Sequence, residues 1–152
     1  KKHIGLHAGA WNRDLQTDLG VIKAFGATAL VTLMESHELD EVKVPVDRLR
    51  DDTRAAGLEW HHLPIRDVSI PDDSFERLWG ESGMRLRGIL ATGGKIVIHC
   101  RGGLGRTGTI AARLLIELGD TAEDAISRIR AARPGSIETI EQERYVRSCT
   151  TT

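Results

Sequence analysis

Lys95-Ile96-Val97-Ile98-His99 runs directly into Cys100-Arg101-Gly102-Gly103-Leu104-Gly105-Arg106-Thr107-Gly108, and the reading of the whole chain turns on this stretch. Its Ile-Val-Ile core, bounded by Gly93-Gly94 before and glycines after, suits a central strand buried on both faces. Thr109–Leu118 is strongly apolar and reads as a buried helix launched from the loop. A loop that leaves a strand and enters a helix presents unpaired N–H groups and the positive end of the helix dipole. Glycines at 102, 103 and 105 permit close backbone approach, so that successive amides converge on one anion. Arg106 adds a planar fork able to grip two phosphate oxygens. The candidate anion loop is therefore Arg101, Gly102, Gly103, Leu104, Gly105 and Arg106. Cys100 stands in the same positive field, which favours the thiolate, the form that attacks phosphorus. Thr107 can donate its hydroxyl to that sulfur and ease its departure. His99 is read as a support, hydrogen-bonding to loop backbone and holding the cysteine.

Outward from this stretch, short apolar runs alternate with amphipathic ones, the pattern of an α/β domain. His3–Leu6, Ala29–Met34 and Trp60–Ile65 join Lys95–His99 as expected strands. Leu15, Leu19, Ile22 and Phe25 form one helical stripe ended by Gly26, and Val46 to Ala56 a shorter helix closed by Gly57. Asp72, Asp73 and Ser74 offer cap chemistry before Phe75, Leu78, Trp79, Leu86, Ile89 and Leu90. Gly80, Gly83 and Gly88 weaken the continuity of that helix. Thr121 caps a helix through Ala132, Asp124 completing a capping-box-like pair, and Arg133-Pro134-Gly135 stops it. A last short helix carries Ile140 to Val146. The expected architecture is one domain over residues 1–152, with a central, mainly parallel sheet of about four to five strands flanked by helices.

The chain has 152 residues, 40% hydrophobic and 28% charged, enough to bury a core without disulfides. A net charge of −1 gives no global basic field for nucleic acid or an anionic membrane, so any anion site is local. No run approaches the roughly 18 apolar residues of a membrane span, and no apolar signal segment follows Lys1-Lys2. Two cysteines point to a reducing, cytoplasmic setting, and a monomer is expected. Cys149, beside Ser148 and a run of threonines, reads as an incidental tail residue. His61, His62 and His99 lack metal-site spacing and read as strand-borne side chains, so no metal or other cofactor is expected.

Cleavage of a phosphomonoester also needs a proton for the departing alkoxide or phenoxide. Asp67 is the candidate, because it follows a strand, lies in a loop bracketed by Pro64 and Pro71, and precedes a helix. Its rival Asp72 is marked by its neighbours as a helix cap. Two other functions compete for the loop. A phosphate-recognising module with little turnover would have no need of Asp67, and sulfur or arsenate transfer would want a further reactive cysteine besides Cys149.

With both motifs in place, the chain resembles the cysteine-dependent protein tyrosine phosphatase superfamily, in its small dual-specificity branch. Trp60-His61-His62-Leu63-Pro64-Ile65-Arg66-Asp67 and Ile70-Pro71-Asp72 are similar to its general-acid loop, and Ile98 to Arg106 to its phosphate loop. Ile137-Glu138-Thr139-Ile140-Glu141-Gln142 is similar to its closing glutamine-bearing segment. The resemblance implies a phosphatase-type fold, Cys100 as nucleophile, Arg106 as phosphate clamp, Asp67 as acid and then base, and no metal. It also implies that Gln142 orients the hydrolytic water, since Glu138 stands at the first of two positions where glutamine is typical. The implied substrate is a phosphorylated protein or peptide carrying phosphotyrosine, and in this branch also phosphoserine or phosphothreonine. Phosphoinositide and RNA 5′-phosphatases share this kind of loop; extra lysines would suit a highly charged head group, and here only Arg101 adds charge. The Ala-, Arg- and Leu-rich helices look like those of a bacterial or phage-borne chain.

Overall fold

Ile96, Val97 and Ile98 are buried because their strand, β4 (Lys95–His99), has a neighbour on each edge and helices over the sheet. One neighbour is β1 (His3–His7), paired from His3 opposite Lys95 to His7 opposite His99. The other is β2 (Ala27–Thr32), which pairs in turn with β3 (Glu59–His62). All pairings are parallel, and the order is β1-β4-β2-β3. The loops that follow β2, β3 and β4 therefore emerge at one edge, where open parallel sheets bind their ligands. This computed structural model describes residues 3–7, 15–102 and 104–152, with only the backbone of His3, Leu6 and His7. Lys1, Lys2 and Gly103, which entered the reading above, lie outside the described residues.

The strand boundaries differ from the expected ones for local reasons. β3 stops at His62 instead of reaching Ile65, because β2, its partner, itself ends at Thr32 opposite His62. Leu63 and Ile65 nevertheless donate to Thr32 O and Leu33 O, both at 2.9 Å, so the chain is guided on as it leaves the sheet. β2 begins at Ala27 and ends at Thr32, with an irregularity between Ala27 and Ala29, while Leu33 N still reaches His99 O.

The helices are α1 (Leu15–Phe25), α2 (Ser36–Glu41), α3 (Val46–Ala55), α4 (Asp73–Ala91), α5 (Gly105–Glu117), α6 (Ala122–Ala132) and α7 (Ile140–Ser148). α1 and α3 pack against β2 and β3, whereas α5 is the hub for α4, α6 and α7 and also touches β1 and β4. Ile110, Leu114, Leu115 and Ile116 of α5 are all buried, each contributing about 1.5–3 kcal/mol by leaving water. α4 runs unbroken through its glycines, since Phe75, Trp79, Leu86, Ile89 and Leu90 bury one face. Leu78 lies off that face and is exposed. Phe25 is also exposed, its ring covered by the Lys95 ammonium at 5.0 Å rather than by the core. Thr121 accepts from Asp124 N, but the reciprocal half of a capping box is absent from α6, as the short aspartate reaches less far than glutamate.

The C-terminal end is tied down. Thr152 N donates to Glu117 O, and Cys149 is half-buried with its Sγ against Tyr145 O at 3.4 Å. Burial pushes the Cys149 thiol up to about 11, so it is a packed, unreactive thiol rather than a loose tail residue.

Candidate active site

The edge formed by the three loops gathers the residues that the sequence singles out. Gly102 sits at φ +90°, a backbone conformation open to glycine, and lets the chain turn out of β4. Leu104 is the N-cap of α5 and supplies no side-chain cap, so the first-turn amides of α5 face the loop uncapped by side chains. Cys100 is 1% exposed, and Thr107 Oγ1 donates to its Sγ at 2.9 Å from that same first turn. The expected placement of the hydroxyl on the sulfur is thus seen directly. His99 is fully buried, with Nε2 2.6 Å from Thr32 Oγ1, which also accepts from Trp60 Nε1 at 2.8 Å. That chain of contacts fixes the residue before the cysteine to β2 and β3.

Arg106 is among the largest fully enclosed side chains of the protein. Its Nη1 and Nη2 grip the two oxygens of Glu38 at 2.7 and 2.9 Å, and Nη1 also donates to Ile65 O at 3.0 Å. Burial opposes its charge, but the bonds to Glu38 and the charges around it hold the guanidinium above its ordinary value. For Glu38, burial alone would raise the carboxyl; hydrogen bonds from Arg106 and from Glu35 N outweigh it and hold the carboxyl below its usual value. Glu38 was not visible in the sequence. It lies on α2, a six-residue helix with a glutamate N-cap, 68 positions from its partner. Only the pattern Glu35-Ser36-His37-Glu38, a capping box, hinted at the helix, and nothing hinted at the ion pair.

Asp67 arrives from the β3 side. Its Oδ1 lies 3.2 Å from Arg106 Nη2 and accepts from Val68 N at 2.9 Å, while the side chain stays 65% exposed. The same loop ends with Asp72 Oδ1 accepting from Phe75 N, which confirms Asp72 as the cap of α4. Arg101 turns outward and is paired with Glu41 at 2.6 Å.

Gln142 is buried at the start of α7, with its side-chain amide beside Gly105. Its Oε1 accepts from Glu138 N and Thr139 N, and its Nε2 donates to Ser69 O of the Asp67 loop at 3.1 Å. Gln142→Leu leaves these backbone groups unpaired, at a cost of about 2 kcal/mol. A fall in melting temperature of roughly 4–8 °C is expected in thermal unfolding. An unchanged melting temperature would contradict the bracing role.

His61 and His62 are held on β3 by Ser82, Glu59 and Met34 O, and burial keeps the His62 imidazole below its usual value. Among the described residues, Glu35, His37 and Glu38 bring metal-type ligand atoms together. Both Glu38 oxygens already accept from Arg106, which explains this cluster without an ion.

A parallel sheet whose central strand leads through a glycine loop carrying Cys100 into the Arg106 helix defines a phosphatase of the protein tyrosine phosphatase fold. The chain belongs to the dual-specificity family of such phosphatases: the model for "PTP-SAK: Swiss Army Knife protein, DSP-PTPase phosphatase domain" matches residues 8–146. Human cyclin-dependent kinase inhibitor 3 is 36% identical over 137 residues, which cover 88% of this chain and 62% of that protein. The chain thus spans less than two thirds of the relative's length. A solved structure of kinase associated phosphatase with its catalytic site cysteine replaced by serine aligns with a TM-score of 0.77 at 34% identity. It covers 88% of this chain and 74% of its own. Tk-PTP in its active form aligns at 0.75 and 27% identity, over 96% of this chain and 90% of its own. No described helix is long and apolar enough to cross a membrane.

Proposed function

We propose that the chain hydrolyses phosphomonoesters of proteins, phosphotyrosine foremost and phosphoserine or phosphothreonine besides, through a cysteinyl phosphate on Cys100. The observation that carries this is Arg106 meeting Asp67 at 3.2 Å across the helix turn whose Thr107 holds the Cys100 sulfur. Nucleophile, anion clamp and proton donor thereby converge on one small volume. Loop amides and Arg106 hold the phosphoryl oxygens as negative charge shifts toward the leaving oxygen. Cys100 Sγ attacks phosphorus, and Asp67, protonated, gives its proton to that oxygen. Water then attacks the cysteinyl phosphate, Asp67 takes back a proton, and the electron pair of the P–S bond returns to sulfur, assisted by Thr107.

Glu38 gives Arg106 a fixed pose before substrate arrives, so little reorganisation accompanies binding. The pairing of Arg101 with Glu41 removes the one extra positive charge of the loop, which speaks against a polyanionic inositol or triphosphate ligand. We further read the chain as a cytoplasmic monomer that acts on phosphorylated proteins, with neither nucleic acid nor membrane as partner.

Asp67→Asn tests the proton transfer. It is expected to slow a phenyl phosphate with a poor leaving group by about 10²-fold or more, and p-nitrophenyl phosphate far less. Values of kcat/KM over a series of aryl phosphates, which report only the steps through release of the phenol, measure this. An equal loss across the series would show that Asp67 is not the acid.

A further inference from the structure

The phosphate loop carries two arginines, and one short helix meets both with carboxylates. Leu39 of α2 is buried and anchors the helix, while Glu38 and Glu41, three positions apart, reach the loop from the same side. Glu38 is buried and grips Arg106 with both of its oxygens. Glu41 accepts from Arg101 Nη1 at 2.6 Å, and here the side chains stay exposed, 46% for Arg101 and 54% for Glu41. The first contact is a buried two-bond brace. The second is a single bond in water, which adds little to stability, so its effect lies in the charge it cancels.

That charge stands close to the reaction. Arg101 follows Cys100 directly, before the chain turns at Gly102. Its guanidinium is held above its ordinary value, by the Glu41 hydrogen bond first, and the charges of Glu41, Glu38 and Asp67 add to this. Glu38 and Asp67 are the two carboxylates that meet Arg106, so Arg101 lies within electrostatic reach of the phosphate clamp. Among the described residues, Arg101 makes no side-chain hydrogen bond besides the one to Glu41. A second anion on the substrate, a few bonds from the scissile phosphate, would be drawn to Arg101 and would meet Glu41 with it. A neutral neighbour of the phosphoryl group meets no such opposition.

We propose that Glu41 is a specificity-determining residue, which turns away phosphoesters bearing a second anionic group beside the scissile phosphate and so favours singly phosphorylated protein sites. This rests on the phosphatase reading above. Glu41 acts by cancelling the charge of Arg101, and it touches neither the sulfur nor the phosphoryl group. Glu38 does not serve this purpose, because both of its oxygens are committed to Arg106.

The test compares kcat/KM for two synthetic peptides of one sequence, the first with phosphotyrosine alone and the second with a phosphothreonine added two residues before it. The wild-type chain is expected to favour the first. Glu41→Gln keeps the size of an exposed side chain and removes its charge. In that variant the ratio of the doubly to the singly phosphorylated peptide should rise about fivefold, the effect of one charge at this range in water. The gain should vanish in about 1 M salt, where the screening length is about 3 Å; a merely structural role of Glu41 would not respond in this way. Adding Arg101→Ala returns the charge of the pair to zero and should bring the ratio back near the wild-type value. An unchanged ratio in Glu41→Gln, a gain that survives in the double variant, or a wild-type preference for the second peptide would each overturn the role of Glu41 and leave the phosphatase reading standing. A wild-type chain inert toward both peptides would overturn both.

Discussion

Cys100→Ser is expected to lower kcat for an aryl phosphate by about 10⁴-fold or more, to background, with the fold intact. The side chain is 1% exposed, and serine occupies the same space with a smaller atom. Thr107 can still donate to the serine oxygen, so neither a cavity nor an orphaned donor follows. A hydroxyl without an activating base is a far weaker nucleophile than a cysteine sulfur. Binding and chemistry should separate in this variant: a phosphotyrosine peptide still binds, since Arg106 and the loop amides are untouched, but no phosphate is released. Calorimetry with the peptide and a phosphate-release assay measure the two. Retained turnover would mean that another group makes the first bond to phosphorus.

Arg106→Met is expected to cost both activity and stability, for different reasons. The clamp on the transferring phosphoryl group disappears, a loss of about 10³-fold or more in kcat/KM. Glu38, 4% exposed, is left as a buried carboxylate without its partner, which costs about 3–5 kcal/mol. Adding Glu38→Leu removes that second penalty and should restore most of the melting temperature without restoring activity. Thermal unfolding and kinetics on the single and double variants separate the two effects. A double variant as unstable as Arg106→Met alone would show that the ion pair is not what stabilises the site.

How far these residues could be read from the sequence follows from how far apart their partners lie. Cys100, Arg106 and Thr107 share one strand-loop-helix stretch, and such a stretch reveals itself because a buried strand, an anion loop and a helix end need different residue types in fixed order. The place of Asp67 beside Arg106 was legible because Pro64 and Pro71 bracket a carboxylate on the loop that leaves β3. Lys95–His99 emerged with the boundaries expected of it, being apolar on both faces. β3 did not, since its end depends on where its partner β2 stops, opposite His62.

Glu38 lay beyond sequence reading for a physical reason. A buried ion pair between α2 and α5 is made by folding, across 68 positions, and leaves no periodicity behind. Gln142 shows the complementary case, in which the residue was legible in the sequence and its packing was not. Its amide is engaged by the cap of α7 and by Ser69 O, contacts that require the Asp67 loop to be packed against α7. Leu78 and Phe25 matched a helical stripe yet face solvent, because the width of a buried face is set by neighbouring elements and not by the helix alone.

A covalent phosphoryl group on the Cys100 sulfur would be caught by stopping the reaction. The chain would be mixed with p-nitrophenyl phosphate, quenched in acid within the first turnovers, digested and weighed by mass spectrometry. The peptide bearing Cys100 is expected to gain the mass of one phosphoryl group and the peptide bearing Cys149 is not, while Asp67→Asn raises the trapped fraction by slowing water attack. Continuing turnover with no phosphoryl group on Cys100 at any quench time would contradict the cysteinyl phosphate.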